Sequence, residues 1–368
     1  MIYFLVNNDY HLNLDLKLAK QLTGHELGLI QVPYSLDAVT KSDVFSKIYL
    51  YPQRLIFSWY RILLRPQELL NIFKNVDNDL AIGPEDILLV HTELDMLNQY
   101  IIQKFYNAKA RIYLVEDGTA TMCYFSTPPQ KAPVADNLRA LILRKLYGFK
   151  HTKIKRYGIE ILPVMDDRLF NGIILNFGDK IARNIPLHKL ALSDEPIAIK
   201  YTDGAIFFNQ ALYFWFCTED QYISYVDNLL VKISQNFTPF YFKFHPSETE
   251  KVRQALTDLI NNQHKNISII SENDIAENLI VKYPVKYAIT FNSTAVFNLM
   301  NRGIEPIFLN HIFDETYTDK SFVIFDQFLK SIDCLYPTAL SEIKSGFKAF
   351  ARGINNQNKK SMANILNG

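Results

Sequence analysis

TPFYFKFHPSETEKVRQAL, residues 238–256, is an aromatic alternating run from Phe240 to Phe244 that halts at His245-Pro246 and gives way to a charged amphipathic pattern. The first half reads as a strand and the second as a helix. At the carboxyl end of a strand in an open α/β sheet, the first helical turn has N–H groups without intrahelical partners and the positive end of the helix dipole, so anions bind there. Pro246 at or just before the first helical position loses nothing by lacking an N–H, and Ser247 with Glu250 has the spacing of a capping box. His245 would then face an anion docked on the helix. A capped helix after a satisfied strand-end histidine accounts for the same residues and, taken alone, is the better explanation.

The same alternation of strand and helix runs in both directions from this junction. Ile2 to Val6 is an apolar strand, followed by a polar turn at Asn7, Asn8 and Asp9 and a helical pattern from Leu12 to Leu22. Further strands are expected at Gly28 to Val32, Lys47 to Tyr51, Asp86 to His91 and Ala110 to Val115. Helices are expected at Leu55 to Phe73, broken by Arg65-Pro66, and at Leu94 to Tyr106. Periodicity fades between Ala182 and Tyr201, which places a domain linker there. A second series follows: strands Ala205 to Phe208, Phe240 to Phe244, Ile267 to Ile270, Tyr287 to Phe291 and Pro306 to Leu309, with helices Glu219 to Gln235, Glu248 to Asn262, Ile275 to Val281 and Thr294 to Arg302. Repeated β-α units call for parallel sheets covered on both faces. The expected architecture is α/β, two Rossmann-like domains facing a central cleft: residues 1–190 and residues 200–335, with C-terminal helices in 336–368; the final helical patterns, Asp326 to Leu329 and Leu340 to Leu366, are expected to pack back on the first domain. Two such halves suggest a two-domain glycosyltransferase with its active site in the cleft.

Composition bounds the function. A chain of 368 residues accommodates two domains, and 26 Phe with 21 Tyr in a 48% hydrophobic chain exclude disorder. A formal net charge of +1 argues against nucleic acid as a partner. Cys123, Cys217 and Cys334 are far apart with no metal-ligand spacing, as expected of reduced thiols in a cytoplasmic protein. The N-terminus has no basic n-region, and no run approaches the roughly 20 apolar residues of a membrane span. The segment 137–156 carries Arg139, Arg144, Lys145, Lys150, Lys153, Lys155 and Arg156 among leucines and aromatics, without an acid after Asn137. It reads as a basic amphipathic helix; peripheral contact with an anionic inner membrane and a solvated face over a core helix both account for it.

Three strand ends carry reactive-looking residues. Val115 is followed by Glu116-Asp117-Gly118, two adjacent carboxylates at a strand tip, where mutual repulsion favours a general base; an ordinary Asp-Gly turn explains it equally. His245-Pro246 is the second. Asn292-Ser293-Thr294 is the third, its hydroxyls placed to cap a helix or to hold a phosphate oxygen. Asp77-Asn78-Asp79 is formally a DxD but falls in a polar connection after a helix and reads as a solvated loop. GxGxxG, P-loop, HExxH and GxSxG patterns are absent from the sequence, which removes dinucleotide enzymes, P-loop NTPases, zincins and α/β-hydrolases from the leading candidates.

Acid-acid-Gly in the first half, His-Pro in the second and Ser-Thr beyond it together resemble the bacterial lipooligosaccharide sialyltransferases and polysialyltransferases, which share [DE]-[DE]-G, H-P and S-[ST] motifs. The resemblance covers most of the chain and implies a GT-B fold. It implies an inverting, metal-independent sialyltransferase with no cofactor. The donor would be CMP-sialic acid, and the acceptor a terminal galactose or sialic acid on lipooligosaccharide, O-antigen or capsule. Carried over, Asp117, with Glu116 competing, matches the general base; His245 matches the residue that binds or protonates the leaving CMP phosphate. Ser293 and Thr294 match the hydroxyls on that phosphate, with Gly118, Pro246 and Asn292 beside them in the donor site. Glu277 is the best match for the carboxylate that holds the ribose, although Ile275-Ala276 replaces the family's usual proline and leaves Glu272 and Asp274 open. Asn7, Asn8, Asp9 and His11, at the tip of the first strand, would hold the acceptor glycan. Another donor (CMP-Kdo, CMP-pseudaminate or CDP-glycerol) or a non-catalytic glycan- or nucleotide-binding protein would fit the same motifs.

Overall fold

The computed structural model describes residues 1–33, 43–51, 55, 59–117, 130–131, 134–157, 160–175, 181–191, 200–272, 274–300, 302–317, 322–349 and 359–367. Gly118, Cys123 and the side chains of Asp9, Arg139 and Thr294 lie outside the described residues. The chain divides into two compact units, Met1–Leu192 with Asn356–Gly368, and Ser193–Asn355.

The first unit is built on β1 (Ile2–Val6), α1 (Asp9–Ala19), β2 (Leu27–Gln31), β3 (Lys47–Leu50), α2 (Trp59–Leu64), α3 (Pro66–Asp79), β4 (Ile87–Val90), α4 (Met96–Asn107) and β5 (Arg111–Val115). After these come β6 (Gln130–Lys131), α5 (Val134–Tyr147), β7 (Thr152–Tyr157), β8 (Glu160–Met165), β9 (Gly172–Leu175) and β10 (Leu187–Lys189). Seven strands form one sheet in the order β10-β9-β5-β4-β1-β2-β3, and all its pairs are parallel. Parallel strands need a crossover between them, so helices cover both faces and the strand interiors are apolar throughout. β1 shows this: Tyr3 and Leu5 enter a core with α3, α4 and α5, while Ile2, Phe4 and Val6 enter the opposite core with α1.

The second unit contains β11 (Thr202–Phe208), α6 (Glu219–Ile233), β12 (Phe240–Lys243), α7 (Glu250–Gln263), β13 (Ile267–Ile270), α8 (Ala276–Lys282), β14 (Val285–Thr290), α9 (Thr294–Met300), β15 (Glu305–Phe308), α10 (Asn310–Tyr317) and α11 (Val323–Ser331). Its sheet is also all-parallel, in the order β13-β12-β11-β14-β15. Phenylalanines fill the layers: Phe207 meets Phe242 edge-on at 5.5 Å, and Phe297 stacks on Phe308 at 5.0 Å. The last described element, α12 (Met362–Asn367), returns to the first unit, where Met362, Ile365 and Leu366 join the α1 side of the core.

Four sequence expectations change. Segment 137–156 is not one helix: α5 ends at Tyr147, Gly148 takes a positive φ of 70°, and Lys153, Lys155 and Arg156 lie on β7, in an antiparallel β6-β7-β8 sheet that periodicity did not signal. Asp77-Asn78-Asp79 is the last turn of α3 and not a loop; Asp77 accepts from Tyr100 Oη at 2.7 Å and Lys104 Nζ at 3.1 Å, and Asp79 from Tyr51 Oη at 3.2 Å. No continuous helix spans 340–366: a single turn at Leu340–Glu342 is followed by non-helical backbone to 349. Strand β10 lies inside the segment where fading periodicity suggested a linker. Elsewhere boundaries move by a residue or two, and Pro66 divides α2 from α3 because its ring excludes the preceding helical hydrogen bond.

β11 changes register between Thr202 and Ala205 where it pairs with β14, and Gly204 lies at that point. A Cβ there would stand 2.4 Å from the carbonyl oxygen of Pro239 and 2.8 Å from Val285 Cγ1, with backbone as the obstacle. Gly204→Ala is therefore expected to lower stability by about 1–3 kcal/mol through overpacking. Urea unfolding that shows no loss would mean that β11 and β12 are further apart than described.

Candidate active site

In an open parallel sheet ligands bind beyond the carboxyl ends of the strands, where neighbouring strands send their connections to opposite faces. In the first unit that point lies between β1 and β4; Asn7 follows one and His91 the other. Asn7 is buried and its amide is fully engaged. Nδ2 donates to Val32 O at 2.9 Å and Asn98 Oδ1 at 3.3 Å, and Oδ1 accepts from Asn98 Nδ2 at 2.9 Å, which also reaches Thr92 O at 2.8 Å. The pair ties the ends of β1, β2 and β4 together, so Asn7, expected at the acceptor site, has a structural role here. Asn8 caps α1, its Oδ1 accepting from His11 N at 2.9 Å, and thereby starts the helix earlier than its apolar pattern does.

His11, also expected in the acceptor site, is likewise fully buried. Its Nδ1 accepts the backbone N–H of Asn7 at 3.2 Å, so the ring proton sits on Nε2, which donates to Asp117 Oδ1; Asn8 Nδ2 is 3.3 Å from the same nitrogen. Burial lowers the His11 pKa by more than the Asp117 carboxylate raises it, and the stacked His91 works in the same direction as burial. A neutral imidazole thus orients Asp117. The two adjacent acids differ in access: Glu116 is fully buried, with Tyr10 Oη 3.5 Å from its Oε1, whereas the Asp117 side chain is 20% exposed.

In the second unit the corresponding point lies between β11 and β14, with β12 on the other side of β11. Asn209 and Gln210 follow β11 and cross-link both neighbours. Gln210 Oε1 accepts from Asn292 N at 2.7 Å and Thr290 Oγ1 at 3.1 Å, and its Nε2 donates to Asn292 Oδ1 at 2.5 Å. Asn209 Nδ2 donates to Glu248 Oε1 at 2.7 Å, which also accepts from His245 N at 3.1 Å; Tyr222 Oη donates to Asn209 Oδ1 at 2.7 Å. These hydrogen bonds, joined through the adjacent Asn209 and Gln210, connect the His245 loop to Asn292. Ser293 Oγ accepts from Ala295 N at 3.3 Å.

The junction after β12 differs from the expected cap. α7 begins at Glu250, capped by Thr249, whose Oγ1 accepts from Val252 N at 3.4 Å; Pro246 and Ser247 form a turn ahead of it. Ser247 serves the histidine, its N–H (3.2 Å) and Oγ (2.7 Å) both meeting His245 Nδ1, so that Nε2 carries the proton. Burial, and then the nearby Lys243 charge, lower the His245 pKa. Arg253 stands over the Phe244 ring at 5.0 Å and reaches His245 O at 3.4 Å. Glu272 and Asp274 are held locally, Glu272 by Tyr283 Oη at 2.7 Å and Asp274 by Ile275 N at 2.8 Å and Asn278 Nδ2 at 2.7 Å. Glu277 is buried in the first turn of α8, its carbonyl accepting from Arg302 at 3.0 Å.

Sequence reasoning missed Asp15, His91 and Asn98 in the first unit and Asn209, Gln210, Tyr222 and Glu248 in the second. His11 and Asp15 share the i, i+4 spacing of one helix face, which was the available signal; lone amides after a strand give none.

A profile of the family described as alpha-2,8-polysialyltransferase (POLYST) matches residues 55–302. No curated protein matches the chain. Among solved structures, the spinosyn forosaminyltransferase SpnP is 12% identical, covering 99% of this chain and 93% of that one, with a TM-score of 0.51. The UDP-GlcNAc 2-epimerase of Methanocaldococcus jannaschii is 10% identical over 100% and 98%, at 0.49, and MurG of Acinetobacter baumannii 11% identical over 100% and 98%, at 0.43. The likeness to SpnP is one of fold, and the fold is GT-B.

Glu248 makes the second unit sensitive to pH. Burial pushes its carboxyl up to about 7, against the hydrogen bonds from His245 N and Asn209, and its Oε2 is buried without a partner. Below its ordinary value of 4.5 the group is neutral in both states. As pH rises from there to about 7 only the unfolded chain ionises it, so stability falls, by about 3 kcal/mol from this group. Glu248→Gln is expected to flatten that slope in urea unfolding between pH 4.5 and 7.5; a variant with the wild-type slope would place the pH dependence elsewhere.

Proposed function

This chain belongs to the alpha-2,8-polysialyltransferase family, and on that premise we propose that it is an inverting, metal-independent transferase that moves sialic acid from CMP-sialic acid to a hydroxyl of a terminal galactose or sialic acid on bacterial lipooligosaccharide, O-antigen or capsule. Sialyltransferase-type glycosyl transfer comes with the family; donor, acceptor and stereochemistry are our reading. The observation that carries it is the Asp117 carboxylate, partly exposed at the carboxyl edge and held by a neutral, buried His11, next to a Glu116 that is sealed from solvent.

Asp117 takes the proton of the acceptor hydroxyl as its oxygen forms a bond to the anomeric carbon of the donor. The bond from that carbon to the phosphate oxygen breaks, and CMP leaves with the electron pair. Attack from the face opposite the phosphate inverts the configuration. His245 Nε2–H donates to the phosphate, with Ser293, Asn292 and Arg253 at the same sheet edge and Glu277 the carboxylate for the ribose. A single phosphate carries less charge than a diphosphate, and such donors stabilise it without a cation. The enzyme would work in the cytoplasm at the inner membrane face. There α5 offers exposed Leu138, Leu141 and Leu146 with Arg144 and Lys145; no described helix is long and apolar enough to cross a membrane.

Purified protein is expected to release CMP from CMP-N-acetylneuraminate only when a galactose- or sialic-acid-terminated acceptor is present, and equally in EDTA. Asp117→Asn should lower that rate about 10²- to 10⁴-fold with folding and CMP binding intact, and Glu116→Gln far less. Tight CMP binding without release would point to another CMP-sugar donor, and no CMP binding would refute the reading. On liposomes containing anionic lipid, Leu141→Ser with Lys145→Gln should reduce flotation; unchanged flotation would remove α5 from membrane contact.

A further inference from the structure

A second histidine, which the proposed transfer does not use, lies behind the tip of β5. His91 follows β4, is fully buried, and lies 4.3 Å from the ring of His11, within 10° of parallel. Its Nδ1 is 2.9 Å from the carbonyl oxygen of Glu116; a carbonyl only accepts, so Nδ1 carries a proton. Its Nε2 is 2.9 Å from Oδ1 of Asp15, also fully buried, whose Oδ2 has no hydrogen-bond partner. α1 therefore supplies both the ring beneath Asp117 and the anion facing His91.

With Nδ1 occupied by its proton, a second proton on Nε2 makes His91 an imidazolium balanced by the Asp15 carboxylate. Burial opposes both charges and raises the Asp15 carboxyl, but at His91 the Asp15 charge, the hydrogen bond between them and the Glu116 carbonyl outweigh burial and hold the imidazole above its ordinary pKa. The same cation, stacked on His11, opposes a second proton there, and the Asn7 N–H already occupies His11 Nδ1.

We propose that Asp15 and His91 are the positioning pair of the base: a buried, charge-balanced imidazolium that keeps His11 neutral and anchors the Glu116 backbone, so that Asp117 is oriented by a hydrogen bond from a neutral ring. The inference rests on the reading of Asp117 as the base. Among the described residues, the titratable groups that face the two rings are Asp15 and Tyr10 from α1 and Glu116 and Asp117 from the tip of β5. Glu93, beyond His91 on the same connection, is turned to Arg183.

Histidine side-chain NMR, with the 8 histidines assigned by substitution, tests this without any substrate. In the wild type His91 is expected to titrate above free imidazole and His11 below it. Asp15→Asn keeps the shape and can donate to Nε2, removing only the charge; it should lower His91 and raise His11. His91→Phe keeps a stacked ring and should move His11 in the same direction. A wild-type His91 that is neutral at pH 6, or a His11 unmoved in both variants, overturns the proposal, whether or not the chain transfers sialic acid. In the transfer assay, the acid limb of the kcat profile should move up with His11 in Asp15→Asn while KM for the donor stays unchanged. Absence of any release by the wild type would refute the transferase reading and leave the titration test standing.

Discussion

Buried backbone polar groups have to be hydrogen-bonded, and in a parallel sheet that demand is hardest to meet at the switch point, where neighbouring strands leave in opposite directions. Both units meet it in the same way, with an amide side chain placed just after the first strand. Asn7 follows β1 and holds the chain after β2 directly and the chain after β4 through Asn98; Gln210 follows β11 and holds Thr290 at the end of β14 and Asn292 after it. Without these bridges the carboxyl edges would be a set of independent loops. With them, residues distant in sequence keep fixed distances.

That rigidity is what lets short loops carry chemistry. Catalytic groups must be held within a fraction of an ångström of a productive geometry, which loops achieve only when their backbone is tied down. Glu116 N is bound to Ile174 O in the neighbouring strand and Glu116 O to His91, so the peptide leading to Asp117 is fixed on both sides. In the second unit Glu248 does the same for His245, at the cost of a buried carboxyl with one oxygen unpartnered. The cost is borne where the loop has to be held, as expected of strain concentrated at functional positions.

The repeated β-α pattern was readable because the strands are buried on both faces and their helices are amphipathic, so periodicity alone separates them. The acid pair, His245 and Ser293 were readable as strand-end residues. The antiparallel β6-β7-β8 sheet was not: Lys153, Lys155 and Arg156 on β7 share the basic character of α5, and charge continuity masked the change of backbone. The burial of His11 was not readable for a related reason. Position after a strand suggests an exposed tip, but burial of α1 against β4 and β5 turns its ring inward. His91 and Asp15 form a buried pair from distant parts of the chain, and nothing local distinguishes them from core residues.

The two histidines that meet the reactive edges are set by one device. In each, a backbone N–H occupies Nδ1 (Asn7 for His11, Ser247 for His245), which fixes the proton on Nε2 and, with burial, favours the neutral ring. Their surroundings then separate the roles. His11 meets an anion that belongs to the protein, the Asp117 carboxylate, and a second cation nearby keeps it from becoming charged itself. His245 has Ser247 on its Nδ1 with Lys243 and Arg253 nearby, and on the proposed reading its Nε2–H meets the leaving phosphate. On the proposed reading the same tautomer orients a base in one unit and offers a donor to a leaving phosphate in the other, and the difference lies in the charges packed around each ring.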